Sequence, residues 1–260
     1  MKSYKDRGII IKIRQLAEAD RLVVIYGEKF GRIEAVAKGV SKLLSRKRGS
    51  IDLLNYAEFA LHSTRGLDII TEASLLDDFA ALKQDLYSVS QIFYILELLD
   101  KLLISSESED TVSALLLEFL PLLQDENTRR DFLISAFEVK LLNLLGFGPI
   151  LDSCLHCGKE HLPNEKRIAA ASGQAGYLCD KHFAGDRYQN LFVPDTMLKL
   201  QRFMLVEGLQ SLRQIRYDQL LLKRLKSIQR TWIEGVIEKN LKSTAFLDKL
   251  DVRYNKYREI

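Results

Sequence analysis

The chain has 260 residues, 47% of them hydrophobic and 28% charged, with a formal net charge of +3. That is the composition of an ordinary soluble globular protein, long enough for one large domain or two to three small ones. No apolar run reaches the roughly 18 residues that a membrane-spanning helix needs.

The small net charge conceals a partition along the chain. Residues 1–50 carry 13 Lys/Arg against 5 Asp/Glu, residues 67–130 carry 4 against 13, and residues 191–260 carry 14 against 8. A basic head and tail around an acidic middle place any polyanion binding at the two ends.

The first 76 residues read as strands. Residues 8–14 are rich in Ile, residues 21–26 contain Leu22-Val23-Val24-Ile25, and residues 32–37 alternate Ile33 and Ala35 with Arg32 and Glu34. The turn Gly27-Glu28-Lys29-Phe30-Gly31 has glycines where positive φ is cheap. Residues 57–62 and 67–75 follow as two more strands, joined by Ser63-Thr64-Arg65-Gly66. Five short strands in this length suit a small closed barrel, and the five-stranded OB fold is the leading candidate. His62 falls on a strand and reads as a packing or surface residue.

Between the third and fourth strands, residues 38–49 include Lys38, Lys42, Arg46, Lys47 and Arg48 among Gly and Ser. Such a loop can follow a phosphate backbone, each cation displacing a condensed counterion. Of the aromatic residues, Tyr26, Tyr56 and Phe59 read as core, whereas Tyr4 and Phe30 are candidate stacking platforms for bases.

Beyond Asp77 the apolar period becomes helical. Residues 89–103 are apolar around most of the circumference, which suits a central helix. A polar break at 105–110 precedes a helix over about 111–123 with a kink at Pro121. Asn127 can cap the next helix, which stops at Gly146. Further helices start near Pro194 and span about 218–241. The latter places Leu221, Leu225, Ile228, Trp232 and Val236 on one face and Lys223, Arg224, Lys226 and Arg230 on the exposed side. Residues 249–260 read as a mixed-charge, frayed tail.

All three cysteines lie in one frame between these helices: Cys154-x2-Cys157, then, after 21 residues, Cys179-x2-His182. Two x2 pairs separated by a loop can grip one tetrahedral Zn²⁺ from two knuckles, and four such ligands close its shell, so the site reads as structural. His156 and His161 are alternative fourth ligands; His182 is preferred because it repeats the x2 spacing. The flanking glycines argue for loop rather than a redox CxxC helix. An odd cysteine count, and no apolar segment after Met1-Lys2-Ser3-Tyr4, argue against a secreted disulfide framework. Ser153 stands where a zinc deaminase has proline, and an upstream H-x-E is lacking. Phosphate-binding loops of the G-x4-G-K-[ST] or G-x-G-x-x-G type and a G-x-S-x-G elbow are also missing from the sequence. The residues therefore favour a non-enzymatic, cytoplasmic nucleic-acid binder.

The stretches Gly8-Ile9-Ile10-Ile11-Lys12, Glu18-Ala19-Asp20-Arg21-Leu22-Val23 and Gly31-Arg32-Ile33-Glu34-Ala35-Val36-Ala37-Lys38-Gly39 resemble the opening strands of the RecO family of bacterial DNA repair proteins. Ser45-Arg46 before Gly49, and Gly66-Leu67-Asp68 before Glu72-Ala73, are similar to its later barrel. The order of basic barrel, helical body and metal knuckle extends the resemblance over essentially the whole chain. The family often uses four cysteines at the metal, where this chain has His182 as the fourth residue. The resemblance implies an α+β multidomain fold: an OB barrel over residues 1–79, helices over 80–148, a zinc-finger-like insertion over 149–190 and C-terminal helices over 191–260 packing with the helical domain. It further implies a recombination mediator, nucleoid-associated, that binds single- and double-stranded DNA without sequence preference, anneals complementary strands and helps load RecA onto coated single strands. Its implied partners are RecR, RecF and the acidic tail of the single-strand binding protein.

On this reading Arg32, Lys38, Lys42, Arg46, Lys47 and Arg48 contact DNA, with Arg7, Arg21 and Arg65 as extensions. Lys223, Arg224, Lys226 and Arg230 are candidates for an acidic partner tail, and Asp77, Asp78 and Asp85 for a basic partner. The alternative from the residues alone is a zinc-containing OB-fold module for RNA or transcription.

Overall fold

A computed structural model describes residues 2–103, 110–125, 128–161, 167–171, 175–179, 181–182, 193–213, 215–247 and 250. The chain forms two compact units, one of residues up to Leu117 joined by those from Leu241 on, the other of Glu118–Asn240.

The first unit opens with a closed five-stranded barrel of the OB type. Its strands are β1 (Ser3–Gln15), β2 (Arg21–Gly27), β3 (Gly31–Ala37), β4 (Tyr56–His62) and β5 (Asp68–Asp77), in the order β1-β2-β3-β5-β4. The long β1 pairs with both β2 and β4, and the parallel contact of Ala35 and Val36 with Asp68 and Ile69 closes the ring. Strict alternation in β3 and β4 sends Ile33, Ala35, Ala57, Phe59 and Leu61 inward, where they meet Ile10, Val23, Ile25 and Ile70.

The turn between β2 and β3 is held by a buried carboxylate. Asp6 accepts hydrogen bonds from the amides of Arg7 (2.9 Å), Lys29 (3.2 Å) and Phe30 (3.1 Å). Burial nonetheless leaves its carboxyl above the usual range. Of the two turn glycines, Gly31 has the positive φ, 59°. Gly27 serves differently, since a Cβ there would lie 2.1 Å from the Asp6 carboxylate.

A 3₁₀ turn (Ala80–Lys83) leads to α1 (Leu86–Leu102), whose N-cap Asp85 accepts from the amides of Tyr87 and Ser88. Its C-terminal end is clamped to the barrel by charge. The Arg32 guanidinium donates to the Asp100 carboxylate (3.0 Å) and to the carbonyls of Asp100 (3.4 Å) and Leu103 (3.2 Å), while Lys12 pairs with the same carboxylate. Carbonyls at a helix C-terminus lack intrahelical partners and carry the negative end of the dipole, so a cation belongs there. Burial alone would raise the Asp100 carboxyl, but the hydrogen bonds and charges of Lys12 and Arg32 hold it below its usual value. Glu97, also on α1, caps the helical stretch 242–247 by accepting from the amides of Lys242 (3.0 Å) and Ser243 (2.8 Å). α2 (Asp110–Gln124) continues through Pro121.

The second unit is organised around α3 (Arg130–Leu144), which has ten buried residues and so is enclosed nearly all round. The expected cap, Asn127, lies outside the described residues, as do 105–109 of the polar break and the tail apart from Leu250. α3 begins after Arg129 without a side-chain cap, and Gly146 follows its end at φ 80°. A three-stranded sheet comes next, β6 (Ile150–Cys154), β7 (Arg167–Ala171) and β8 (Ala175–Cys179), in the order β6-β8-β7. Then follow α4 (Asp195–Val206), the short α5 (Leu209–Leu212) and α6 (Gln219–Ile237), the last N-capped by Asp218. The buried face of α6 is Leu222, Leu225, Ile228, Gln229, Trp232 and Ile233. Leu221 and Val236, expected on that face, are only half-buried. The face turns because Gln229 is drawn inward to α3, where it exchanges hydrogen bonds with the Ser135 hydroxyl and, at 3.0 Å, its carbonyl.

Because its folded pKa is depressed, Asp100 contributes stability that is complete above the ordinary carboxylate pKa of about 4 and lost as pH falls through the folded value. Asp100→Asn is expected to cost about 2 kcal/mol at pH 7. The deficit should shrink below about pH 4. Urea melts at the two pH values measure both.

Candidate nucleic-acid interface and metal centre

The β3–β4 connection is a run of turns rather than a free loop. The amides of Lys42, Ser45 and Arg48 donate to the carbonyls of Gly39, Lys42 and Ser45 at 3.2, 3.1 and 3.2 Å. Its entry is fixed by Gly39, whose amide meets the Asp20 carboxylate at 2.7 Å, and by Ser41, whose amide meets the Ala19 carbonyl. Its exit is fixed by Asn55, which donates to the carbonyls of Gly49 and Ser50. Val40 and Ile51 enter the barrel core from the two ends.

On this scaffold Lys38, Lys42, Arg46 and Arg48 are exposed. Lys47 folds back to donate to the Ile70 carbonyl at 2.8 Å, and burial lowers its pKa. Arg21 lies beside the connection, its Nε 3.2 Å from the Ser41 hydroxyl. Arg65 is exposed in the β4–β5 turn, and Arg7 pairs with Glu58 at 3.5 Å. Arg32 departs from the expected role. Its side chain is only 13% exposed and is engaged by Asp100, Glu34 and the end of α1, so it serves the fold. Phe30 is 45% exposed and packs edge-on against Tyr4, with centroids 4.7 Å apart, while the Tyr4 hydroxyl donates to Asp68. Tyr56 is half-buried with its hydroxyl on Glu28, and His62 lies 3.2 Å from the Ser3 hydroxyl.

In the second unit Cys154, Cys157, Cys179 and His182 place their ligand atoms within 4.8 Å of one another. Cys157 Sγ is 4.0 Å from Cys179 Sγ, and His182 Nδ1 is 3.9 Å from Cys154 Sγ and 3.2 Å from Cys179 Sγ. A tetrahedral ion with metal–sulfur bonds of about 2.3 Å needs sulfurs about 3.8 Å apart, so the four residues can bind a metal ion. His156 stacks outside the cluster on the His182 ring (4.4 Å, 14°), and His161 is not part of the cluster.

The backbone prepares the cluster for an ion. Burial would raise the Cys154 thiol, yet the amides of Cys179 and His156, each 3.4 Å from its sulfur, help bring it down to about 6. Burial and the neighbouring Cys154 sulfur push Cys179 up. A cation would resolve that opposition by holding both as thiolates. The sheet carrying the cysteines is anchored by Tyr177, wholly buried on β8, which meets Gln201 of α4 and, edge-on at 5.7 Å, Trp232 of α6. Arg202 adds a bond to the Leu151 carbonyl at 3.2 Å.

Of the expected partner residues, Lys223 and Arg224 are exposed on α6, Lys226 pairs with Asp131 at 3.6 Å and Arg230 is half-buried. A shallow, open groove not read from the sequence lies nearby, lined by Leu200, Phe203, Leu221, Tyr217, Lys199 and Arg216. Its residues come from α4, α6 and the segment before α6, which no local periodicity connects. Asp77, Asp78 and Asp85 accept from the amides of Phe79, Ala80 and Tyr87, respectively.

Residues 1–79 match the family described as Recombination protein O N terminal, and residues 83–245 match Recombination protein O C terminal. The chain is 34% identical over 250 residues to the DNA repair protein RecO of Desulforamulus reducens, covering 96% of each chain. It is 30% identical to that of Pelotomaculum thermopropionicum, covering 96% of this chain and 95% of the relative. With that of Listeria monocytogenes it shares 28% identity, covering 95% and 94%.

Removing one of the four cluster residues should act locally. Cys179→Ala is expected to lose bound metal by elemental analysis and to speed amide exchange in β6 and β8, leaving exchange in β1–β5 unchanged.

Proposed function

The chain belongs to the RecO family of DNA repair and recombination proteins, and from that premise we propose that it binds single- and double-stranded DNA regardless of sequence, anneals complementary strands and helps load a recombinase onto protein-coated single strands. The observation that carries this reading is the set of four exposed cations, Lys38, Lys42, Arg46 and Arg48, on a connection held by its own hydrogen bonds. Annealing makes and breaks no covalent bond. Cations between two strands screen phosphate repulsion, which raises encounter rate and lowers the barrier to pairing. Arg21 and Arg65 extend the path, while Arg32 is assigned to the fold.

Zinc is the ion we assign to the Cys3His cluster, because three thiolates and one imidazole are ligands it favours. Its role is to hold β6 and β8 together, with no part in DNA chemistry. We assign the protein to the cytoplasm, at the nucleoid, with RecR and RecF as partners. We assign the acidic, apolar-ended tail of the single-strand binding protein to the groove lined by Lys199, Arg216 and the apolar Leu200, Phe203 and Leu221, with Lys223 and Arg224 on α6 as further cations for the same tail.

Annealing of two complementary labelled oligonucleotides, without nucleotide and at two salt concentrations, tests the central proposal. Salt-sensitive acceleration is expected; its absence, or a strong preference for RNA, would favour an RNA-binding module instead. The variant K42E/R46E/R48E should bind DNA more weakly and lose about 2–3 from the slope of log affinity against log salt, three contacts at about 0.7–0.9 each. For the tail, K199E/R216E should weaken an acidic peptide ending in apolar residues about tenfold or more by fluorescence anisotropy, since each desolvated charge contact contributes on the order of 1 kcal/mol.

A further inference from the structure

The same connection carries two large apolar side chains that the barrel does not use. Leu43 is 87% exposed and Leu44 96%, whereas Val40 and Ile51 at its ends are 3% and 6% exposed and lie in the core. Successive turns through Lys42, Ser45 and Arg48 hold the tip in place, so the leucines are presented by hydrogen-bonded backbone. Exposed Lys42, Arg46 and Arg48 surround them in the sequence, and Arg21 stands at the base against Ser41.

An apolar tip among cations suits a partner that is anionic outside and apolar within reach. Nucleic acid has that chemistry, with phosphates for the cations and base faces for the leucines. Two leucines offer too little apolar surface to anchor on lipid, where stable attachment needs a long acyl chain or a broad amphipathic face. They match the faces of one or two unstacked bases, as apolar wedges do in DNA-bending proteins.

We propose that Leu43 and Leu44 form a base wedge that lies against adjacent bases of a single strand while Lys42, Arg46 and Arg48 hold its phosphates. The inference rests on the DNA-binding reading above and adds to it. Leucine has no donor or acceptor, so it reads no sequence and leaves the Watson–Crick edges free for the incoming strand. Pairing restacks the bases and expels the leucines. The protein therefore holds single strand more tightly than the duplex it makes, and annealing itself loosens the grip.

The test uses a single strand carrying 2-aminopurine, whose fluorescence rises on unstacking, with the full-length wild type, L43S/L44S and L43M/L44M. Wild type and the methionine variant should brighten the probe; the serine variant should not. The serine variant should bind single strand about tenfold more weakly, the scale of losing a base-stacking contact. Its salt slope and duplex affinity should stay as in wild type, because the cations remain. Equal brightening and an equal single-strand preference in wild type and L43S/L44S would overturn the wedge while leaving DNA binding intact. Binding of phosphatidylserine vesicles that needs the leucines, with DNA binding independent of them, would also overturn it. A wild type that bound no DNA would remove the wedge along with the reading beneath it.

Discussion

The pairing of Asp100 with Lys12 and Arg32 joins the barrel to α1, and it does so by withdrawing two cations from the barrel surface. A protein whose partner is a polyanion faces a competition of this kind throughout, because any cation near a carboxylate or an unpartnered carbonyl can be neutralised by its own fold. Arg32 satisfies carbonyls at the end of α1 that would otherwise lack partners, which makes it more useful inside than outside. Lys47 follows the same logic at the Ile70 carbonyl. Lys38, Lys42, Arg46 and Arg48 lie on a connection that closes several of its own turns by backbone hydrogen bonds, and their side chains are exposed to solvent.

The metal knuckle obeys a related constraint. Among the described residues, the apolar cluster around its cysteines is Cys154, Leu178 and Cys179 with Leu155 against them, a small core for a three-stranded sheet. Two devices supplement it. Tyr177 inserts into the helical body through Gln201 and Trp232, and the Cys3His cluster, by holding a metal ion, would tie β6 to the end of β8. Structural zinc contributes about 10–16 kcal/mol of apparent binding free energy in isolated finger peptides. Here, with Tyr177 already anchored, a bound ion would act chiefly on the strands next to the four residues that could hold it.

Where the pattern was local, the sequence was legible. Alternation in Ile33-Glu34-Ala35 and in Ala57–Leu61 showed the barrel strands, and the x2 spacings marked the four residues that the structure brings together. What escaped depended on partners distant in sequence. Arg32 read as a surface cation because nothing nearby shows that Asp100, 68 residues later, comes to meet it. The α6 face read as Leu221–Val236 because helical period alone cannot register the pull of Ser135 on Gln229. Residues 89–103 read as the central helix from their apolar circumference, yet Phe93 is 52% exposed and α3, with Ser135 and Glu138 in its sequence, is the more enclosed. Gly27 read as a turn glycine, but its lack of a Cβ makes room for Asp6.

The form of the basic connection bears on how strands are held and released. A flexible basic loop would lose backbone freedom on every encounter, at roughly 1–2 kcal/mol per residue ordered. A connection already folded into successive turns, with Val40 and Ile51 fixed in the core, has lost that freedom when the barrel folds. If its cations meet phosphates as proposed, they need to order only side chains, so weak contacts can form and break quickly without a large entropic barrier. Rapid exchange among many weak contacts is what annealing demands, since a strand held too tightly cannot search for its register against the complement. On the proposed reading, the turns between Gly39 and Arg48 would set exchange rate as well as shape.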